Sequence, residues 1–379
     1  MAHWGIGSFC IDGRYIQDHF PGIGRYTYNL IDALARVAPD DAFTILHNPA
    51  LRNTRYDIAA LARYPSVELR RVDVPTFSWR EQFQLPTSNI QLLHSPYYIK
   101  PYYSRVSSVV NIFDLIPLRV PKDSLTWRAR LFFRLAVSLA ARTATRIIAS
   151  SVATRADLVT LLRVPREKID VIPLAADACF APQPAAEIAR VRAKYALPDE
   201  YVLSVGINKP HKNIAALIEA WQSLGDLSRT LVIAGARDAQ SAQQAAVENR
   251  KPVLSEAEGS RIQFIHNVDD RDLPALYSGA AVFVMPSLYE GFGLPTLEAM
   301  ACGAPVICSN TSSLPEVVDD AALLIDPHSV DEMAVAIERV LSDAALRDEL
   351  RAKSLARAAQ FSWERTARET LAVYRSVVL

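Results

Sequence analysis

The feature that most constrains this chain is a rhythm. Short apolar runs rich in Val and Ile alternate with longer amphipathic stretches, and the alternation runs through the chain twice. Parallel strands need crossovers of a dozen or more residues, usually helical, so the rhythm specifies parallel sheets covered by helices. In the first half it predicts strands at Ile6–Ile11, Phe43–Leu46, Val67–Val72, Leu92–His94, Val109–Ile112, Arg146–Ala149 and Ile169–Ile172, with helices at Gly24–Val37, Leu125–Ala144 and Ser151–Leu162. In the second half it predicts strands at Tyr201–Val205, Leu231–Ala234, Ile262–Ile265, Ala281–Met285, Val306–Cys308 and Leu323–Ile325. Helices are expected there at Asn213–Leu224, Leu273–Gly279, Leu294–Cys302, Val330–Leu341, Ala344–Gln360 and Trp363–Val378, the last capped by Ser362 with Glu364 in its first turn.

Between the two arrays, Pro173–Ala186 reads PLAADACFAPQPAA, and its prolines and small residues mark a linker. The expected architecture is α/β, with two Rossmann-like domains, residues 1–175 and 176–362, facing each other across a cleft. The final helix, 363–379, is expected to pack back on the first domain. Open α/β sheets bind ligands beyond the carboxyl ends of their strands, so the loops after the strands are where chemistry is sought.

Composition removes several classes. The 379 residues include 41 basic and 41 acidic ones, so no polyanionic partner such as nucleic acid is demanded. The four cysteines, Cys10, Cys179, Cys302 and Cys308, lack zinc-ligand spacing and the pattern of a disulfide framework, which fits a reducing, cytoplasmic setting. The first residues, MAHWGIGSFCIDGRY, do not read as a signal peptide, and no run of about 18 apolar residues reads as a membrane span. Peripheral contact with a membrane is left open.

Four segments carry candidate chemistry. In Pro286–Cys302, PSLYEGFGLPTLEAMAC, a loop follows an apolar strand and opens a helix. Gly291 and Gly293 let backbone approach a ligand, the amides near Leu294 can face a phosphate, and Pro295 suits the first turn. Glu290 and Glu298 flank this element as acceptors for paired hydroxyls; the plainer reading makes them solvated loop and helix residues. In Ser204–Asn213, SVGINKPHKN, Lys212 at a strand-to-helix turn can neutralise a diphosphate. In Asp12–Tyr28, DGRYIQDHFPGIGRYTY, Gly22 and Gly24 make a glycine-rich loop before a helix, a weak signal alone. In Val109–Pro117, VVNIFDLIP, Asp114 at a strand end is a catalytic candidate, its commoner role there being structural.

Together these segments resemble the retaining glycosyltransferase family 4, also called glycosyl transferases group 1, whose GT-B fold has two Rossmann-like domains. The similarity spans the chain from first strand to last helix, and Glu-Gly-Phe-Gly-Leu-Pro with a second Glu eight positions on is its most specific part. The resemblance implies an N-terminal acceptor domain and a C-terminal nucleotide-sugar donor domain. It implies that Glu290 contacts the donor sugar, that Glu298 binds the ribose, and that Gly291, Phe292, Gly293 and Leu294 belong to the donor-binding element. Lys212 matches the Lys of the family's Gly-Arg-x-x-x-x-Lys phosphate motif, but Ile207 stands where the Arg is expected; Lys209 either substitutes for it or is a solvated charge. Gly24 and Arg25 match the family's N-terminal glycine loop, Arg25 being otherwise a partner for a nearby carboxylate. Val268, in the turn His266–Val268, resembles the loop that holds the base.

One departure matters more. Relatives often read HDLIP where this chain has Phe113-Asp114, so a polar contact to the sugar is lost or moved; His94 is a compensating candidate or a buried structural histidine. Two signals read more plainly than they first look. Asp270-Arg271-Asp272 has the D-x-D spacing of metal-dependent transferases, but before a helix it reads as a cap. The helix Leu125–Ala144, with Trp127, Arg128, Arg130, Arg134 and Arg142, is either membrane-facing or, more simply, a surface helix with Arg outward and Leu inward.

The implied activity is transfer of a hexose, mannosyl transfer included, from a UDP- or GDP-linked donor to a sugar or lipid-linked acceptor in cell-surface polysaccharide or glycolipid synthesis. Front-face retention needs no carboxylate nucleophile and no essential metal or other cofactor, since Lys212, the helix N-terminus and the glycine loop stabilise the departing diphosphate. The alternatives are an epimerase or phosphorylase on the same fold, or a sugar-nucleotide-binding scaffold. The sequence leaves donor, acceptor, linkage and oligomeric state open.

Overall fold

The computed structural model describes residues 7–85, 90–120, 126–206, 209–225, 229–235 and 261–378. Ile207 lies outside the described residues. The chain divides into two compact units: unit 1 is built from the stretch up to Leu118, Thr126–Ala175 and Ser362–Leu379, and unit 2 mainly from Ala176–Phe361.

In unit 1, strands β1 (Ser8–Asp12), β2 (Ala42–His47), β3 (Val67–Arg71), β4 (Leu92–Ser95), β5 (Ser107–Ile112), β6 (Arg146–Ala149) and β7 (Ile169–Val171) form one sheet in the order β3-β2-β1-β4-β5-β6-β7. All its pairings are parallel. Both faces of such a sheet are covered, which is why Phe9, Ile11, Leu92, Val110 and Ile147 are all buried without alternation along their strands. The helix Trp363–Val378 belongs here. It buries Ala367, Thr370 and Tyr374 against this unit, its Ser362 Oγ accepts from the Arg365 amide at 3.2 Å, Thr366 Oγ1 donates to Pro173 O at 2.8 Å, and Glu364 pairs with Arg36.

In unit 2, β8 (Tyr201–Val205), β9 (Thr230–Ala234), β10 (Arg261–Ile265), β11 (Val282–Met285), β12 (Val306–Ser309) and β13 (Leu323–Ile325) form a parallel sheet in the order β10-β9-β8-β11-β12-β13. Both orders reverse direction beside their first strand, the doubly wound arrangement expected from the rhythm. Its core joins Trp221 and Leu217 of one helix to Met333, Ile337 and Val340 of another, across Val202, Val282 and Val284.

Several expectations need correction. The helix expected at Gly24–Val37 begins at Pro21, whose missing amide hydrogen costs nothing in a first turn, so Gly22 and Gly24 lie within the helix and not in a loop. The linker reading Pro173–Ala186 runs into an unforeseen helix, Ala185–Tyr195, which starts once the prolines end. Asp272 does not cap the helix Leu273–Gly279 with its side chain. Its carboxylate is buried and accepts from Arg190 at 2.6 Å, Lys194 at 2.5 Å and Tyr195 at 2.8 Å, tying the unforeseen helix to the start of the helix Leu273–Gly279. Finally, the helix Trp127–Thr143 does not turn its leucines inward: Val137, Ala140 and Ala141 are buried, while Leu131, Leu135 and Leu139 face water.

Candidate functional site

The candidate site of unit 2 is assembled by the loops after β8, β11 and β12, at the point where the strand order reverses. After β8 the chain passes Gly206 and a short 3-10 turn, Pro210–Lys212, then Asn213 in the left-handed region at φ 57°, whose side-chain amide donates to Pro327 O at 2.7 Å. This turn presents Lys212 to the loop after β11. Its Nζ stands 2.7 Å from Glu290 Oε1, with both side chains largely buried. The His211 carbonyl accepts from the Leu288 amide at 2.7 Å, so backbone as well as side chains ties the two loops.

The loop after β12 braces Glu290 from the other side. The Glu290 amide donates to Ser312 Oγ at 2.9 Å, Ser313 Oγ donates to the Glu290 carbonyl at 3.0 Å, and Thr311 Oγ1 donates to Leu288 O at 3.2 Å. With its backbone held at both ends, the Glu290 carboxylate is pre-positioned.

Gly293 then caps the helix Leu294–Ala301 at φ +95°, and a Cβ there would lie 2.5 Å from Leu314 Cδ2. Both conformation and space require glycine. Within the first turn the amides of Thr296 and Leu297 return to the Gly293 carbonyl and Pro295 has none, which leaves the Leu294 amide as the first-turn donor without an intrahelical partner. Gly291 and Phe292 are buried, the Phe292 ring lying edge-on to Phe361 with centroids 6.0 Å apart. Glu298, on the same helix, is buried and accepts from the Tyr277 hydroxyl at 3.1 Å. A lysine, two carboxylates and a glycine-capped helix start thus occupy one wall of unit 2. Such a wall suits a ligand that combines hydroxyl pairs with a diphosphate.

Of the other candidates, Lys209 opens the turn Pro210–Lys212 and is exposed. Val268 lies half-buried on the turn after β10, the edge strand, three places from β11 in the sheet. Asp114 belongs to unit 1, where its Oδ1 accepts from the Ile116 amide at 3.0 Å and shapes the turn after β5. Also in unit 1, Gly24 packs so closely that a Cβ would come 3.1 Å from Tyr15 O, and Arg25 reaches the Tyr56 hydroxyl at 3.4 Å.

His94 is fully buried in unit 1, hydrogen-bonded through Nδ1 to Tyr374 and through Nε2 to Asn111. Burial lowers its pKa to about 4, and Asn111 only partly offsets this. It is therefore a neutral structural histidine and does not replace the missing one at Phe113, whose ring lies against Tyr26. Sequence reasoning missed His211, Ser312, Ser313 and Tyr277, which hold the site by backbone or hydroxyl contacts. Nothing in a single sequence separates such residues from ordinary loop residues.

Two doubly wound units, one carrying this wall, are the architecture of GT-B glycosyltransferases. Two family models match: Glycosyltransferase Family 4 over residues 21–178 and Glycosyl transferases group 1 over residues 187–357. The chain is 33% identical to O-antigen chain mannosyltransferase B of Escherichia coli over 382 residues, covering 93% of this chain and 96% of that protein. Among solved structures, sucrose-phosphate synthase from Thermosynechococcus elongatus superposes with a TM-score of 0.74 at 22% identity, covering 98% of this chain and 99% of that one. Anabaena HepE, solved in complex with UDP and glucose, gives a TM-score of 0.72 at 19% identity, covering 98% and 100%. The chain belongs to glycosyltransferase family 4, group 1, and is a glycosyltransferase.

Proposed function

We propose that this enzyme transfers mannose, with retention of anomeric configuration, from a nucleoside-diphosphate sugar to a growing cell-surface polysaccharide or its lipid-linked precursor. The observation that carries the reading is the Lys212–Glu290 contact beside the glycine-capped start of the helix Leu294–Ala301. On this reading the diphosphate lies on the Leu294 amide and draws Lys212 towards itself. Glu290 then turns to the sugar hydroxyls, and Glu298 takes the ribose diol.

As the glycosidic bond breaks, negative charge grows on the leaving diphosphate, and preorganised donors lower the barrier most where that charge develops. Lys212 and the helix start supply what a bound cation supplies elsewhere, so the proposed reaction proceeds without an essential metal. The departing phosphate takes the acceptor's proton, and the acceptor attacks from the face it leaves. Similarity to an O-antigen mannosyltransferase along almost the whole chain favours mannose, and with it a GDP-linked donor, over the UDP-linked alternative.

Thermal shift with GDP, UDP, GDP-mannose and UDP-glucose tests the donor, since a ligand that binds only the folded state raises its melting temperature. GDP-mannose is expected to stabilise the wild type and to fail with Lys212→Ala. Equal stabilisation of both would remove Lys212 from the site. Proton NMR of the product reads the anomeric configuration, and an inverted linkage would end the retaining assignment.

A further inference from the structure

Unit 1 carries a surface that its fold does not use. The helix Trp127–Thr143 is apolar on both sides. Phe133, Val137 and Ala140 pack inward, the Phe133 ring 5.3 Å from Tyr98. On the outward side Trp127, Leu131, Phe132 and Leu135 are 70%, 48%, 66% and 60% exposed. Adjacent segments add to it. Gln82 bonds both Lys100 O at 2.9 Å and the Tyr102 amide at 2.8 Å, and Lys100 Nζ reaches Thr143 O at 3.4 Å, so the short helix Glu81–Gln84 and the loop around Tyr102 meet the C-terminal end of the long helix. Trp79, Phe83 and Tyr103, on these segments, are 75%, 77% and 82% exposed. Single exposed apolar side chains are ordinary, but four large ones on one helix are not.

The charges point to the occupant. Arg80, Arg105, Arg128, Arg134 and Arg142 are exposed on these same segments. Residues 75–113 contain a single acidic residue, Glu81, which is buried against Arg14, and residues 126–156 contain none. In a chain with equal numbers of acidic and basic residues, the described segments that carry these rings and leucines are apolar and basic, with no exposed carboxylate of their own. A second copy of the chain is a poor partner, because a two-fold contact would set these arginines against their own counterparts. Large apolar side chains interleaved with arginines match the boundary of an anionic bilayer, where rings and leucines enter the acyl region and guanidinium groups stay with the headgroup phosphates.

We propose that this face of unit 1 docks on an anionic lipid surface. The inference stands on unit 1 alone and is independent of the donor site. The full chain is expected to sediment with vesicles of phosphatidylcholine and phosphatidylglycerol at about 3:1, to leave pure phosphatidylcholine largely unbound, and to be released by high salt. The pair Leu131→Ser with Phe132→Ser is expected to lower binding at least about tenfold. The pair Arg128→Glu with Arg134→Glu should lower it comparably and abolish the preference for anionic lipid, as each basic residue near such a surface contributes roughly fivefold. All four positions face water, so circular dichroism and the melting temperature should stay at wild-type values. Binding that ignores both pairs, or that is equal on neutral vesicles, overturns the proposal. So does a dimer, seen by light scattering without lipid, that Phe132→Ser dissolves, since the face would then be a protein interface.

Discussion

Lys212 and Glu290 share a contact of 2.7 Å, and the pair shows why identity matters more than charge at this site. An ammonium on a flexible stem can leave Glu290 for a phosphate; a guanidinium forms a wider, forked contact in the same space. Lys212→Ala is expected to lower kcat by about 100-fold or more, the usual cost of removing one group that stabilises developing charge, and Lys212→Arg to recover only part of it. Steady-state kinetics with saturating donor separate the two. Gly293→Ala is expected to destabilise unit 2 by about 2 kcal/mol, because it strains a left-handed backbone and drives a methyl into Leu314; a urea titration reads this directly. His94 carries a pH signature. Its folded pKa of about 4 lies below the usual 6.5, so the unfolded chain binds the extra proton between those values. Stability should therefore fall as pH drops from about 6.5 to about 4, by on the order of 3 kcal/mol, and His94→Gln should flatten that slope in unfolding curves measured across the window.

At the scale of elements, the helix Ala185–Tyr195 is held by one buried carboxylate. Burial opposes ionisation of Asp272, but the hydrogen bonds from Lys194, Arg190 and Tyr195 outweigh it and bring its pKa to about 2. The stability this provides is fully present above about pH 4 and is lost as pH falls through 2. Asp272→Ala is expected to cost about 2 kcal/mol, less than for a fully buried pair because Arg190 and Lys194 can return to water. The melting temperature at neutral pH checks this, and a change within experimental scatter would show that the helix is held by its apolar face instead. The D-x-D spacing that drew attention here is thus absorbed by an internal ion-pair cluster, a role visible only once Arg190 and Lys194 are folded against it.

Across the whole molecule, the last helix closes unit 1 although it follows unit 2 in sequence. Tyr374 is fully buried, bonded to His94 and lying against Phe9 with ring centroids 5.0 Å apart. Deleting residues 362–379 removes Trp363, Leu371 and Tyr374 from this core. Unit 1 should then lose on the order of 5 kcal/mol or more, as for removal of several large buried side chains. Calorimetry is expected to show one transition lowered or lost and another kept, because the core of unit 2 contains none of the deleted residues. A uniform shift of all unfolding would instead indicate a single cooperative unit.

The sequence by itself determined the sheets, the placement of nearly every strand, and the loop that holds Glu290. Each rests on local patterns, apolar runs of fixed length and glycines where backbone must turn, that bind neighbours in the chain whatever the distant contacts are. Tertiary structure alone decided the rest. It brought Lys212 to Glu290 across 78 positions, set Ser312 and Ser313 behind that loop, spent His94 on Tyr374, and turned Leu131 and Leu135 outward. Those outcomes depend on which strands lie side by side and which faces find a partner. The periodicity of one segment shows that a face is apolar, but only packing shows whether anything covers it.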